Sequence, residues 1–383
     1  MSYKISLFDL NYGREEEEAA IKTLRSKWIS MGTNVADLEK EAARIFGVKH
    51  VIAVTNCTAA LHLALKILGI KEDDEVIVPS LTFVATVNAV FYVGAKPVFA
   101  DITSREDFSI SPADITKKIT PRTKAIIVMH YGGFPCDMDA ILEIARTYNV
   151  RVVEDAAHAP GAEFRGKKMG TIGDFGCFSF FSNKNITCAE GGLLTTNDDG
   201  FAEQAKLLRA HGMTTLSYDR AQGHATEYDV VALGYNYRLD DIRGSLALVQ
   251  LKKLEGDIRR REELREYYIN NLKNQDNIGL PYENNVHKST NYIFPVLLKN
   301  SNVGKRNRIR KYLSDSGIQT SVHYPAVHQF SIYRQYKTEL MNTEYVSENE
   351  ITLPMYYSLQ FHEIDYICSR LKEAGKNSYA GIK

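Results

Sequence analysis

The chain has 383 residues and balances 47 Lys plus Arg against 47 Asp plus Glu, so its net charge is zero. That length exceeds a single hydrophobic core and predicts two domains, while the charge balance removes the electrostatic case for nucleic acid or an acidic membrane surface. Five cysteines without C-x-x-C spacing argue against a disulfide framework and against a zinc site, leaving buried free thiols and no metal as the expectation.

The opening M-S-Y-K-I-S-L-F-D-L lacks the apolar core of a signal peptide, and no apolar run is long enough to span a bilayer, so a soluble cytoplasmic protein is expected. Without a secretory signal, the N-x-T sequons starting at Asn56 and Asn185 read as chance matches. Two helices are predicted before residue 50. One carries the solvated run Glu15, Glu16, Glu17, Glu18 and ends near Trp28; the other covers 34–46 and is closed by Gly47. From residue 50 the chain alternates β-branched runs (50–54, 75–78, 97–100, 125–129, 151–154, 176–181, 192–196) with helical patterns (59–68, 82–93, 138–148, 200–210). Such alternation builds βαβ units and a mostly parallel sheet. The polar stretch 214–229 has no convincing period and reads as a long surface or active-site loop. A charged amphipathic helix from Asp241 to about Asn274 then connects to a second, α+β domain, with strands expected at 292–298 and 319–324 and helices at 305–315 and 362–374. The expected division is 1–240 and 241–383.

The chemistry concentrates in two segments. R-V-V-E-D-A-A-H at 151–158 reads as a buried strand delivering Asp155 at its carboxyl end, where open α/β sheets place ligands. Lys184, 29 positions downstream in F-S-F-F-S-N-K, sits at a second strand exit among small residues. Alone, Asp155 reads better as a helix N-cap, and Lys184 as either a solvated side chain or a partly buried nucleophile. Together they supply what pyridoxal phosphate requires, a carboxylate for the pyridinium nitrogen and an amine for the Schiff base. T-N-C-T-A-A-L at 55–61 turns the first strand into a helix whose free N–H groups suit a phosphate, with Thr58 able to cap or donate its hydroxyl and Ser179 as a second hydroxyl donor. His211, before Gly212, reads as a helix C-terminal residue.

E-D-A-A-H-A-x-G-A, G-D-F-G-C-F-S-F-F-S-N-K-N-I-T, G-G-L-L-T-T and G-Y-N-Y-R-L, with D-E-V-I-V-P-S-L-T-F-V-A-T at 74–86 and G-A-K-P-V-F-A-D at 94–101, resemble the motifs of the DegT/DnrJ/EryC1/StrS aminotransferases. The resemblance runs in order from W-I-S-M-G at 28–32 to L-P-M-Y-Y at 353–357. It implies an α/β fold of the pyridoxal-phosphate fold type I, like aspartate aminotransferase, with a large mixed-sheet domain, a smaller C-terminal one, and a homodimer sharing its active sites. It implies that Lys184 binds the cofactor and moves the proton, that Asp155 faces the ring nitrogen, and that His158 reaches the ring hydroxyl. Thr58, Ala59 and Ser179 would contact the phosphate, Phe83 would stack on the ring, and Asn236 would be lent to the phosphate by the neighbouring subunit. Arg238 would serve substrate or structure, and His323 and Tyr324 in H-Y-P-A-V-H match a contact near substrate entry, although both types also pack in ordinary cores. Ser30, Met31 and Gly32, the 214–229 loop and the second domain would meet the substrate.

The phosphate turn departs from the family in reading N-C-T where N-G-T is frequent, so Cys57 demands an ordinary backbone conformation there. A dehydratase branch replaces the lysine with histidine; this chain keeps Lys184. The expected reaction is amino transfer from glutamate to a nucleotide-linked keto-sugar, in surface polysaccharide, glycoconjugate or antibiotic sugar synthesis. A cyclitol aminotransferase shares every motif, a sugar dehydratase would use the same cofactor, and a non-catalytic nucleotide-binding or regulatory protein would leave Asp155 and Lys184 incidental.

Overall fold

The computed structural model describes residues 3–215, 227–336 and 338–380. Helices α1 (Arg14–Arg25) and α2 (Thr33–Phe46) come first, and α2 ends at Gly47 in the left-handed conformation that lets its N–H bond Ala43 O. A βαβ succession follows: β1 (His50–Val54), α3 (Cys57–Ile67), β2 (Glu75–Pro79), α4 (Val84–Tyr92), β3 (Lys96–Ala100), α5 (Pro112–Lys118), β4 (Thr123–Met129), α6 (Met138–Tyr148) and β5 (Arg151–Asp155). The short hairpin β6 (Glu163–Phe164) and β7 (Lys167–Lys168) precedes β8 (Phe175–Ser179), β9 (Gly192–Thr196) and α7 (Asp199–Arg209).

The large sheet has seven strands in the order β1-β9-β8-β5-β4-β2-β3. Neighbours from β8 to β3 pair parallel, and β9 pairs antiparallel with both β8 and β1, so six strands point one way and β9 alone opposes them. The middles of the strands are mostly apolar because both faces are covered, with Glu154 and Asp155 on β5 as buried exceptions. On β4, Ile126 and Val128 face a core built with α2 and α6, while Ala125 and Ile127 face a core built with α3, α4 and α7.

After α8 (Asp241–Leu272), the chain forms a three-stranded sheet, β10 (Ile278–Gly279), β11 (Phe294–Leu298) and β12 (Glu350–Leu353), with α9 (Val303–Asp315), α10 (Met341–Asn349) and α11 (Phe361–Ala380). Helix α8 serves two cores. Its Ala247, Leu251, Leu254 and Ile258 pack on the large sheet, and its Leu264, Tyr268 and Leu272 pack with β11 and β12.

The predicted strand at 319–324 does not form. Ser321 exchanges both backbone hydrogen bonds with Thr352 in a single bridge, and His323 gives its N–H to the Glu350 carboxylate instead of to a ladder, so the extended segment lies against β12 without becoming a strand. The strand that pairs with β11 is instead the E-I-T-L run of β12. The 176–181 strand ends at Ser179, which leaves Lys184 in a turn five residues beyond. The first helix stops at Arg25, three residues before Trp28. Thr58 does not cap α3; that role belongs to Asn56, whose side chain accepts from the Ala59 N–H at 2.8 Å. Residues 216–226 of the expected loop lie outside the described residues, but its ends are pinned: Thr214 N–H donates to Asp229 O at 3.0 Å and Asp229 N–H to Thr214 Oγ1 at 3.0 Å. All five cysteines are buried and free. Among the described residues no helix is long and apolar enough to cross a membrane, and no His/Cys/Asp/Glu cluster is arranged to hold a metal.

Candidate active site

The parallel strands of the large sheet deliver their carboxyl ends to one cavity of about 410 Å³. Beyond β1 come Asn56, Cys57 and Thr58; beyond β2, Phe83; from β4, Met129; from β5, Asp155; from β8, Ser179. This is where an open α/β sheet accepts ligands. Ala157, His158, Asn183, Lys184 and Glu190 extend the same wall, and Tyr292, His323 and Tyr324 close it from the opposite side. A cavity of about 440 Å³ elsewhere, beside Phe164 and Tyr282, contains Asp107, Asp137 and Glu283 but no lysine, so it offers no amine for carbonyl chemistry.

Asp155 caps nothing, because turns rather than a helix follow β5. Its Oδ2 accepts from Thr86 Oγ1 at 2.7 Å and its Oδ1 from the Ala157 N–H at 3.2 Å. Thr86 is joined in turn to Thr82, 2.8 Å away and one helical turn back. Burial pushes the Asp155 carboxyl above the usual carboxylate range, and the Thr86 bond, the Ala157 N–H and the Lys184 charge work against that push. A cation brought against it would tip the balance toward the carboxylate. Lys184 Nζ lies 4.3 Å from the centre of the Tyr292 ring. Burial brings its pKa from 10.5 down to about 8, with Asp155 and Cys57 opposing. A lysine in that range has a usable fraction of free amine near neutral pH.

His158 is neutral, since burial and then the nearby Lys184 and His323 hold it well below its ordinary pKa. Its Nδ1 accepts the Gly132 N–H at 3.3 Å, so Nε2 carries the proton and donates to Tyr324 Oη at 2.9 Å. The ring packs beside Tyr292, with centroids 4.2 Å apart.

The turn into α3 presents free N–H groups and the positive end of the helix dipole. Cys57 is the first helical residue and has no positive φ, so the family's frequent glycine is not needed here. The close approach is made by Gly192 on β9 instead: a Cβ there would stand 2.6 Å from Asn56 C and 2.7 Å from Cys57 N. Thr58 and Ser179 both line the cavity, and Phe83 is 54% exposed at its mouth. Ala59 is buried outside the lining, and its N–H is already held by Asn56.

Other candidates do not reach the cavity in the single chain. Asn236 is exposed and bridges Ala210, and Arg238 bridges Val54. Ser30, Met31 and Gly32 lie at the start of α2, where Gly32 N–H donates to Asp241 Oδ1 at 2.9 Å and Trp28 Nε1 to Met31 O at 3.2 Å. Sequence reasoning missed Tyr292, Thr86 and Asn183. Thr86 had a signal in its i, i+4 spacing from Thr82; Tyr292 had none, because it arrives from the other sheet.

The donor set suits a phosphorylated pyridine aldehyde: an amine of lowered pKa, a buried carboxylate, a helix start with two hydroxyls, and aromatic walls. Asn183 Oδ1 adds a buried acceptor with no hydrogen-bond partner. Comparison with known proteins agrees. Residues 11–372 match the model of the DegT/DnrJ/EryC1/StrS aminotransferase family. The spore coat polysaccharide biosynthesis protein SpsC of Bacillus subtilis is 36% identical over 373 residues, covering 96% of each chain. Among solved structures, PseC of Helicobacter pylori, an aminotransferase of pseudoaminic acid biosynthesis, superposes with a TM-score of 0.91 at 29% identity over 98% of this chain and all of its own. A sugar aminotransferase assigned as such in Streptococcus pneumoniae, Spr1654, superposes in its PMP form with a TM-score of 0.90 at 28% identity over 98% and 99% of the two chains. The lysine and aspartate that the sheet brings together therefore sit in a chain that belongs to the DegT/DnrJ/EryC1/StrS aminotransferase family, a pyridoxal-phosphate-dependent aminotransferase of fold type I.

Proposed function

We propose that this enzyme moves an amino group from glutamate to a nucleotide-linked keto-sugar, in the synthesis of a surface polysaccharide or other glycoconjugate. The observation that carries the reading is the convergence of Lys184, its pKa lowered to about 8, and the buried Asp155 on one cavity beside a helix start. The printed roles of SpsC and PseC in making polysaccharide and pseudoaminic acid support a sugar substrate.

When bound, pyridoxal phosphate supplies the electron sink and the temporary amino carrier. Lys184 would hold it through Nζ and, once displaced by the donor, would take the proton from the donor's Cα. Asp155 would keep a proton on the ring nitrogen, with Thr86 and the Ala157 N–H maintaining its negative charge. Thr58, Ser179 and the start of α3 would hold the phosphate. Phe83 would stack on the ring, and His158 would reach its hydroxyl. Asn236, exposed in the single chain, would reach the phosphate of a second copy in a homodimer, and Ser30 to Gly32 with Arg238 would meet substrate across that interface.

The test is a screen of keto-sugar nucleotides and inososes with glutamate, following release of 2-oxoglutarate. Turnover confined to keto-sugar nucleotides supports the proposal. Preference for an inosose would replace it with a cyclitol aminotransferase, and deoxygenation without gain of amine would replace it with a dehydratase.

A further inference from the structure

The wall formed by the small sheet holds a carboxylate that the reaction above leaves idle. Glu350, the first residue of β12, is completely buried. Its Oε2 accepts the His323 backbone N–H at 2.9 Å, and its Oε1 accepts from Thr352 Oγ1 at 2.5 Å. Thr352, two residues along the same strand and likewise buried, stands on the same face. Its hydroxyl oxygen lies 2.8 Å from His323 Nδ1. Tyr131 Oη donates to the His323 carbonyl and pins that backbone. The His323 ring lines the cavity beside Lys184, and with Nδ1 taken by Thr352, Nε2 is the nitrogen left for a ligand.

Proton counting allows two arrangements, because a threonine hydroxyl carries one hydrogen. With Glu350 ionised, Thr352 donates to the carboxylate and must accept from His323 Nδ1–H, which leaves Nε2 a bare acceptor. With Glu350 protonated, Oε1–H donates to Thr352, Thr352 donates to Nδ1, and Nε2 carries the hydrogen.

We propose that Glu350, Thr352 and His323 form a proton relay between the cavity and an internal carboxylate, reversing His323 Nε2 between acceptor and donor toward the substrate. In the uptake direction a donor in the cavity gives its proton to Nε2, the Nδ1 proton passes to the Thr352 oxygen, and the Thr352 hydroxyl proton passes to Glu350. One proton enters, one carboxylate is neutralised, and the imidazole is neutral at both ends. Burial, with the Lys184 charge beside it, keeps His323 neutral by lowering its pKa to about 3. Burial raises Glu350 to about 8, opposed by its bonds from Thr352 and His323 and by the charges of Arg306 and Arg310 on α9. Those two guanidiniums bond Ser347 O and Thr320 O, and the other groups facing Glu350 are the Tyr131 and Tyr324 phenols, both kept protonated by burial.

Replacing a keto oxygen by nitrogen expels water, and that oxygen needs a proton while Lys184 is occupied with carbon. His323 would touch the substrate; Thr352 and Glu350 are positioning residues acting through it. This catalytic use rests on the proposed amino transfer, whereas the tautomer reversal does not.

The test is nitrogen NMR of the purified enzyme labelled with [15N]histidine, the His323 signals being assigned by their loss in His323→Gln. Between pH 6.5 and 9.5, Nε2 is expected to change from the protonated to the unprotonated shift, and Nδ1 the reverse. Glu350→Gln should pin the Nε2–H form at every pH, Thr352→Val should abolish the pH response, and Thr352→Ser should keep it. One tautomer throughout in the unmodified enzyme, or a response that survives Thr352→Val, overturns the relay. In kinetics, Thr352→Val and Glu350→Gln should lower kcat by about 10²-fold with KM nearly unchanged, and Thr352→Ser should restore most of it. An unchanged kcat beside a working tautomer reversal overturns the catalytic use. A reversal seen in a protein inactive on every keto-sugar upholds the relay and overturns the reaction assignment instead.

Discussion

The cavity has two walls of different origin. The sheet wall gathers Thr58, Asp155, Ser179 and Lys184 at or beyond the carboxyl ends of β1, β5 and β8, each set by its own short segment. The opposite wall brings Tyr292, His323 and Tyr324 from the extended segments that flank the small sheet, and what fixes them there is a web of buried polar contacts. The difference teaches that reaction chemistry can be anchored by strand geometry, while the environment of the reacting groups depends on contacts between distant parts of the chain.

If this division is right, substitutions in the sheet wall should remove chemistry and those in the other wall should retune it. Lys184→Ala should abolish turnover and the lysine-linked cofactor absorbance, a loss of more than about 10⁴-fold, measured by single-turnover assay and visible spectrum; normal turnover in that variant would remove the central assignment. Asp155→Asn should lower kcat by about 10²- to 10³-fold while the protein still takes up cofactor, because the ring loses its protonating partner but the lysine remains. Tyr292→Leu, in the opposite wall, should cost about tenfold in kcat/KM, since it removes the ring over the Lys184 ammonium but no reacting group. A loss as large as that of Lys184→Ala would dissolve the contrast between the walls. The smallest effect is expected from Thr86→Val. The Thr86 bond lowers the Asp155 pKa, so losing it raises that pKa, and the acid limb of the kcat profile should move to higher pH, with little change on the basic side.

The sheet wall was legible because buried parallel strands are written as largely apolar runs, and R-V-V-E-D ends on the residue that lines the cavity, Asp155. The turn holding Lys184 was legible only in outline, since its strand stops at Ser179 and the phenylalanines that follow belong to the loop. Cys57 could be read as tolerable in the phosphate turn, yet the glycine that permits the close packing there, Gly192, lies 135 positions away on an antiparallel strand. The other wall was mostly illegible. Nothing local in N-Y-I-F announces that Tyr292 will lie under a lysine, and the 319–324 run, β-like by composition, was denied a ladder by one buried carboxylate. Asn236 illustrates a different limit: in the single chain it is exposed, bridges Ala210 and stays outside the cavity lining.

Helix α8 gives the two walls a common mechanical fate. At 32 residues it is a rod of about 48 Å, built into the core behind the sheet at one end and the core behind β11 and β12 at the other. Between those ends, Asp257 and Arg261 form a buried pair 2.7 Å long, and Asn185, next to the lysine, donates to Asp257 while Arg261 donates to the Tyr292 carbonyl. Lysine and tyrosine are thus referenced to a single turn of one helix, as two gauges are zeroed on the same datum. A jaw-like opening of the cavity would have to bend that rod, whereas the exposed Phe83 ring at the mouth can move without disturbing it.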